Sequence, residues 1–176
     1  MLSGPPLALK RKVRETTHVM GPPVNVKPLT LDQSKEFWQE ITDLGWSKED
    51  TPYLTIKVTV LLSQVAKLLH SVISDKHSKC RRGFTAEVGS GVIRLFWWKD
   101  NEQTLELKEA RQIVIGIRKL AQQLGGYAII ETCPIFLKRE LDVWGNTPPT
   151  INLMKRIKSQ YDPDGLLNPG RFLGDI

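Results

Sequence analysis

Two groups of residues in this sequence have the types and spacing to bind a polar ligand. The first is the string Asp162-Pro163-Asp164-Gly165-Leu166-Leu167-Asn168-Pro169-Gly170-Arg171-Phe172. Asp-Pro-Asp-Gly is the chemistry of a tight turn. Leu166 and Leu167 read as apolar anchors. Asn168 precedes a proline, which predicts an extended backbone there. Pro169-Gly170 suits the two central positions of a type II turn. Arg171 then projects from a stiff loop. An amide and a guanidinium held this way can grip a ligand, and the same string can equally just pin a chain end.

The second group is Lys57, Glu87, Arg94 and Glu131, whose positions depend on the elements that carry them. Residues 53–60 alternate, with Leu54, Ile56, Val58 and Val60 on one face and Thr55, Lys57 and Thr59 on the other, the pattern of a half-buried strand. Leu62, Val65, Leu69 and Val72 recur at helical spacing up to about Ser74. Residues 84–88 and 92–98 are two strands joined around Gly89-Ser90-Gly91, a hairpin signal. Leu107, Ala110, Val114, Ile117 and Ala121 mark a long helix stopped by Gly125-Gly126, and residues 127–131 form a last strand. A final helix over about 150–160 precedes the tail.

This order, β-α-β-β-α-β, is that of an α+β, ferredoxin-like split βαβ unit: an antiparallel sheet with two helices on one face. The expected strand order is 4-1-3-2. Thr55, Lys57, Thr59, Thr85, Glu87, Arg94, Phe96, Trp98, Tyr127, Ile129 and Glu131 would then point away from the helices. Such a face serves either as a solvated sheet laced with weak ion pairs or as the roof of a pocket in which Arg94 or Lys57 grips a carboxylate. An arginine grips bidentately, a lysine only as a point charge.

Upstream, residues 1–30 hold Pro5, Pro6, Pro22, Pro23 and Pro28 and show no sustained periodicity, which predicts an extended arm or linker. Thr30 or Asp32 caps a short helix to about Leu44, with Phe37, Trp38, Ile41 and Leu44 as its stripe and Gly45 as its stop. The domain reading is an arm over 1–30 and one domain over 31–176.

Composition narrows the chemistry. Two cysteines, Cys80 and Cys133, lie far apart without a CxxC, and three histidines are scattered, which argues against an iron–sulfur cluster, a zinc site or a disulfide scaffold. No apolar run approaches the roughly 20 residues of a membrane span, and residues 1–14 have no secretory pattern, so a cytoplasmic protein is expected. The net charge is +6, with Lys and Arg clustered at 10–14 and 76–82, and such a surface attracts anions.

The tail string, preceded by Met154, Arg156, Ile157 and Lys158, resembles the C-terminal end of the FAD-linked oxidase family, the vanillyl-alcohol-oxidase-like flavoproteins. Gly125-Gly126-Tyr127, Cys133-Pro134, Leu141-Asp142-Val143-Trp144-Gly145 and the hairpin 86–92 are similar, more narrowly, to the FAD-binding subunit of bacterial glycolate oxidase. The resemblance covers about residue 53 to the C-terminus. It implies a cap domain whose open sheet face lines the substrate side, with Arg94, Lys57 and Glu87 as substrate-binding residues. It also implies that Asn168 and Arg171 lie nearest the FAD. The implied partners are an FAD-binding domain or subunit, and the catalytic flavoprotein and iron–sulfur subunits of a glycolate oxidase complex.

The sequence departs from the family in two ways. It has no GxGxxG or Walker loop, so FAD would be held mainly by a missing domain or a partner, and the chain alone is not expected to be active. The histidine cluster with which some relatives bind metal is absent, so neither a metal ligand nor a catalytic residue is assigned. Two rival readings remain. One is a purely structural oxidase subunit. The other is an RNA-recognition module, favoured by Arg82-Gly83-Phe84 but opposed by Ala86 and Val88 where base-stacking aromatics belong; nucleic acid is not the expected partner.

Overall fold

In a computed structural model of the chain, residues 4–21, 27, 29–44, 51–74, 80–98 and 106–176 are described. They fall into two units, Met1–Asp43 and Leu44–Ile176.

The first unit carries α1 (Pro6–Met20) and α2 (Leu31–Asp43). Residues expected in an extended arm are therefore helical. The reason is the position of the prolines: Pro6 stands in the first turn, where its missing N–H costs no hydrogen bond and its fixed φ suits a helix. Leu7, Ala8, Leu9 and Lys10 are good helix formers, and Arg11 pairs with Glu15 one turn on at 3.3 Å. The basic cluster at 10–14 consequently lies on a helix rather than a loop. The boundary between the two units falls after Asp43.

Thr30 is the cap of α2. The Gln33 N–H donates to Thr30 Oγ1 and the Thr30 N–H to Gln33 Oε1, a reciprocal capping box. No residue of α2 is buried, so Phe37, Trp38 and Ile41 remain substantially exposed. Gly45, Pro22, Pro23, Pro28 and most of the basic stretch 76–82 lie outside the described residues.

The second unit is an α+β structure built on a four-stranded antiparallel sheet. Its elements are β1 (Leu54–Thr59), α3 (Val65–Ser74), β2 (Arg82–Glu87), β3 (Val92–Trp97), α4 (Leu107–Gln123), β4 (Tyr127–Thr132), α5 (Ile135–Glu140) and α6 (Ile151–Tyr161). A 3-10 turn, Leu62–Gln64, leads into α3. The strand order β2-β3-β1-β4 is the one expected from the sequence. Short α5 has no counterpart in the sequence reading. Pro134 precedes it, and six residues are too few to show a helical period.

The core follows from the alternation in the two central strands. Ile56 faces Leu95 and Val58 faces Ile93 across β1 and β3, and all four are at most 1% exposed. Val65 and Leu68 of α3 and Ala110, Val114 and Ala121 of α4 complete the same buried cluster. Two close approaches require glycine. A Cβ at Gly126 would stand 2.0 Å from the Thr59 carbonyl oxygen, and one at Gly91 2.2 Å from that of Val60.

These contacts predict opposite effects for two glycine substitutions. Gly126→Ala destabilises the chain by about 3 kcal/mol through overpacking. Gly116→Ala, in open space on α4, stabilises it by about 0.5–1 kcal/mol. Denaturant unfolding of the two variants measures both.

Candidate functional site

The face of the sheet opposite α3 and α4 carries the charged cluster. Arg94 on β3 faces Thr85 of β2 and Lys57 of β1. Its Nη1 donates to Glu87 Oε1 at 3.1 Å and its Nε to Glu131 Oε2 at 3.0 Å. The second bond reaches over β1 to β4, so the guanidinium spans the middle of the sheet.

A bulge makes this reach possible. Thr55 pairs with Thr132 but Ile56 with Ile130, leaving Glu131 as the extra residue of β4. A bulge of this kind re-aims a side chain, and here the re-aimed group is the carboxylate that Arg94 meets. Lys57 stands directly opposite Arg94 and has no hydrogen bond or ion pair among the described residues. Two like charges side by side repel, so the carboxylates of Glu87 and Glu131 balance the cluster to zero net charge. With both carboxylates in place, Nη2 of Arg94 and the Lys57 ammonium still have no acceptor among the described residues. The Arg94 side chain is 35% exposed and that of Glu87 61%, so each pair adds at most about 1 kcal/mol to stability.

One end of this face is not bare. Phe96 is 2% exposed and Trp98 8%, their ring centroids 5.6 Å apart, with the Arg81 guanidinium 4.5 Å over the Trp98 ring. Gly83 leaves the room that Trp98 occupies, since a Cβ there would come within 3.1 Å of the indole. Thr55 is buried as well. Phe96 and Trp98 are thus taken up in packing. What stays accessible is the patch around Lys57, Arg94, Glu87, Tyr127 and Ile129.

The tail is organised by Asp162, not by its leucines. Leu166 is 77% and Leu167 64% exposed, so neither anchors anything within the described residues. The Asp162 side chain is buried and accepts the N–H groups of Leu166 at 2.9 Å and Leu167 at 3.0 Å. It also forms an ion pair with Lys158, one helical turn back on α6, and Lys158 in turn donates to the Leu167 carbonyl. The bond from Lys158, followed by that from the Leu167 N–H, holds the Asp162 carboxyl below the usual aspartate range; burial opposes them, and the Leu166 N–H adds a smaller push in the same direction as Lys158. The spacing Lys158…Asp162 was the signal in the sequence that could have found this pin.

Asn168 departs from the extended backbone expected before a proline, with φ 48°. Both backbone polar groups of Leu167 are already committed, to Asp162 and Lys158. Asparagine tolerates the left-handed region better than most other residues with a side chain. The type II turn is present: the Arg171 N–H donates to the Asn168 carbonyl at 3.2 Å, and Gly170 has φ 66°. Phe172 ends the loop with its ring 4.9 Å from that of Trp144.

Of the residues assigned from sequence, then, the fold gathers Lys57, Glu87 and Arg94 into one patch. It keeps Asn168 and Arg171 together on the exposed tail loop, and no hydrogen bond or ion pair links the two groups among the described residues. No three His, Cys, Asp or Glu side chains gather as a metal set among the described residues, and no described helix is long and apolar enough to cross a membrane.

A family model described as the C-terminal domain of FAD linked oxidases matches residues 6–172. The chain belongs to this family. No curated protein matches it. The match begins in α1, so the family's domain takes in both units rather than starting at residue 31.

FAD is the cofactor of the family, and the described residues do not form a cradle for it. Its pyrophosphate needs backbone N–H groups that are free to point at it. In the one Gly-Ser-Gly turn, the N–H groups of Ser90 and Gly91 both donate to the Glu87 carbonyl, at 3.1 and 3.0 Å. The turn is thus closed on itself within the hairpin.

The Asp162 pin has a defined pH dependence. Its pKa is lower folded than unfolded, so its contribution is complete above the ordinary aspartate value of about 3.9. It is lost as pH falls through the lower folded value. Hydrogen exchange of the Leu166 and Leu167 amides should show protection at pH 5–7 that fails only in strong acid. In Asp162→Ala those amides should exchange about tenfold faster at neutral pH.

Proposed function

We propose that the chain is the cap domain of a glycolate oxidase-like, FAD-dependent 2-hydroxy-acid oxidoreductase subunit. In this reading FAD is held by another domain or subunit. The open-face patch covers the substrate, and the Asn168–Arg171 turn approaches the flavin. A catalytic flavoprotein subunit and an iron–sulfur subunit complete the complex.

The observation that supports it best is the state of Arg94. Glu87 and Glu131 take its Nη1 and Nε and fix the plane of the guanidinium. Nη2 and the neighbouring Lys57 ammonium remain available. Together they match a small carboxylate such as that of a 2-hydroxy acid: a directed donor on one side and a point charge on the other. Pre-fixing the guanidinium lowers the entropy lost when substrate binds. The exposed tail turn adds an amide at Asn168 and a guanidinium at Arg171, groups suited to the polar rim of a flavin.

In this mechanism the residues bind and orient. Arg94 and Lys57 hold the substrate carboxylate, and Glu87 and Glu131 keep Arg94 in place. None of them is assigned a proton or electron transfer.

Purified chain supplied with FAD, glycolate and an artificial electron acceptor should show no turnover, because in this reading the cofactor is held by another domain or subunit. In the assembled oxidase, recovered with its FAD-bearing partner, Arg94→Gln should raise KM for glycolate about tenfold or more. Assembly by gel filtration should be unaffected, since the surface pairs contribute little to stability. Turnover by the isolated chain, or an unchanged KM in the variant, would sink the reading.

A further inference from the structure

β4 is an edge strand, and its free side is only partly covered. The Ile130 N–H donates to the Val143 carbonyl at 2.8 Å, so the segment after α5 runs beside it. Beyond this contact lies a cleft of about 520 Å3, formed by β4, the C-terminal half of α4, α6 and the tail. That volume is within the usual range for small-molecule sites.

The lining is aromatic and apolar with one charge. Trp144 and Phe172 meet edge to face at an interplanar angle of 69° and form a corner. Tyr127 and Met154 add a further ring and a flexible thioether, and Gln122 an amide. Arg118 is the one charged side chain among the described residues that line the cleft.

Arg118 is held by one flank. Its Nη2 donates to the Asp142 carbonyl. Its Nε is buried without a hydrogen-bond partner, because Gly145 packs against it; a Cβ there would stand 3.1 Å away. No carboxylate pairs with this guanidinium among the described residues. The Asp142 carboxylate lies within electrostatic reach but is engaged with the Trp144 N–H at 2.9 Å. A part-buried guanidinium with unfilled donors is costly, and an anion entering the cleft would fill them. No second cation lines the cleft among the described residues and Asp142 opposes further negative charge, which favours a monoanion over a phosphate dianion.

We propose that this cleft, centred on Arg118 and sharing only Tyr127 and Ile129 of the edge strand with the open-face patch, is a second ligand site for a small planar aromatic monocarboxylate. The carboxylate meets the Nη edge of Arg118, and the ring lies among Trp144, Phe172 and Tyr127. The site is independent of whether the chain caps a flavin.

Calorimetric titration of the full chain with 2-naphthoate, and with 2-naphthalenemethanol as its neutral counterpart, tests the proposal. Naphthoate should bind at one equivalent, at least about tenfold more tightly than the alcohol. Arg118→Gln should bring naphthoate down to the level of the alcohol. Met154→Trp, which adds bulk to the cleft from α6, should abolish binding of both probes with an unchanged circular dichroism spectrum. Arg94→Gln should leave naphthoate binding as it is. Equal affinities for the two probes, absence of naphthoate binding, or binding that survives Met154→Trp would overturn the proposal. Loss of binding in Arg94→Gln would also overturn it, by moving the ligand to the open face.

Discussion

The pairing of β1 with β3 is the constraint from which the rest of the second unit follows. Residues Leu54, Ile56 and Val58 lie opposite Trp97, Leu95 and Ile93, and all six point at α3 and α4. Side chains along a strand alternate with period two, so a slip of one residue would turn this apolar set outward and bring Lys57 and Arg94 into the core. Burying six large apolar side chains therefore also decides, with no further interaction, that the two cations stand side by side on the opposite face. The charged patch is a consequence of the core.

What the core register does not supply is an arrangement in which those cations are tolerable. The bulge in β4 does. It breaks the strict alternation at one residue and delivers Glu131 across β1 to Arg94, while Glu87 arrives from the hairpin side. The weak energy of such pairs on a wet surface means that they are not what keeps the sheet folded. Their effect is geometric. They fix a guanidinium that would otherwise sample many rotamers, and they leave its remaining donors facing outward beside a lysine.

A similar division of labour holds in the tail. Leu166 and Leu167 are exposed, and the loop is shaped by one carboxylate that accepts two backbone N–H groups and pairs with a lysine on the preceding helix. Phe172 on Trp144 secures the far end. A loop fixed at both ends by these contacts keeps its turn residues, Asn168 to Arg171, in a defined conformation although all of them are exposed.

The sequence alone determined the order of strands and helices in the second unit apart from short α5, the face on which each strand residue lies, and the type II turn at Pro169-Gly170. These are local properties: period two, period 3.6 and the φ preferences of proline and glycine act within a few residues. The family was legible too, because its signature is one continuous string. The tertiary structure alone decided that Phe96 and Trp98 are buried, that Glu131 bulges toward Arg94, and that Arg118 meets Trp144 and Phe172 in one cleft. Each of these depends on residues far apart in the chain being brought together by packing, and no local preference encodes such a distance. The helix at Pro6–Met20 is the exception that was locally encoded: one proline acts there as a helix start, and its place in the first turn, not its presence, is what carries the information.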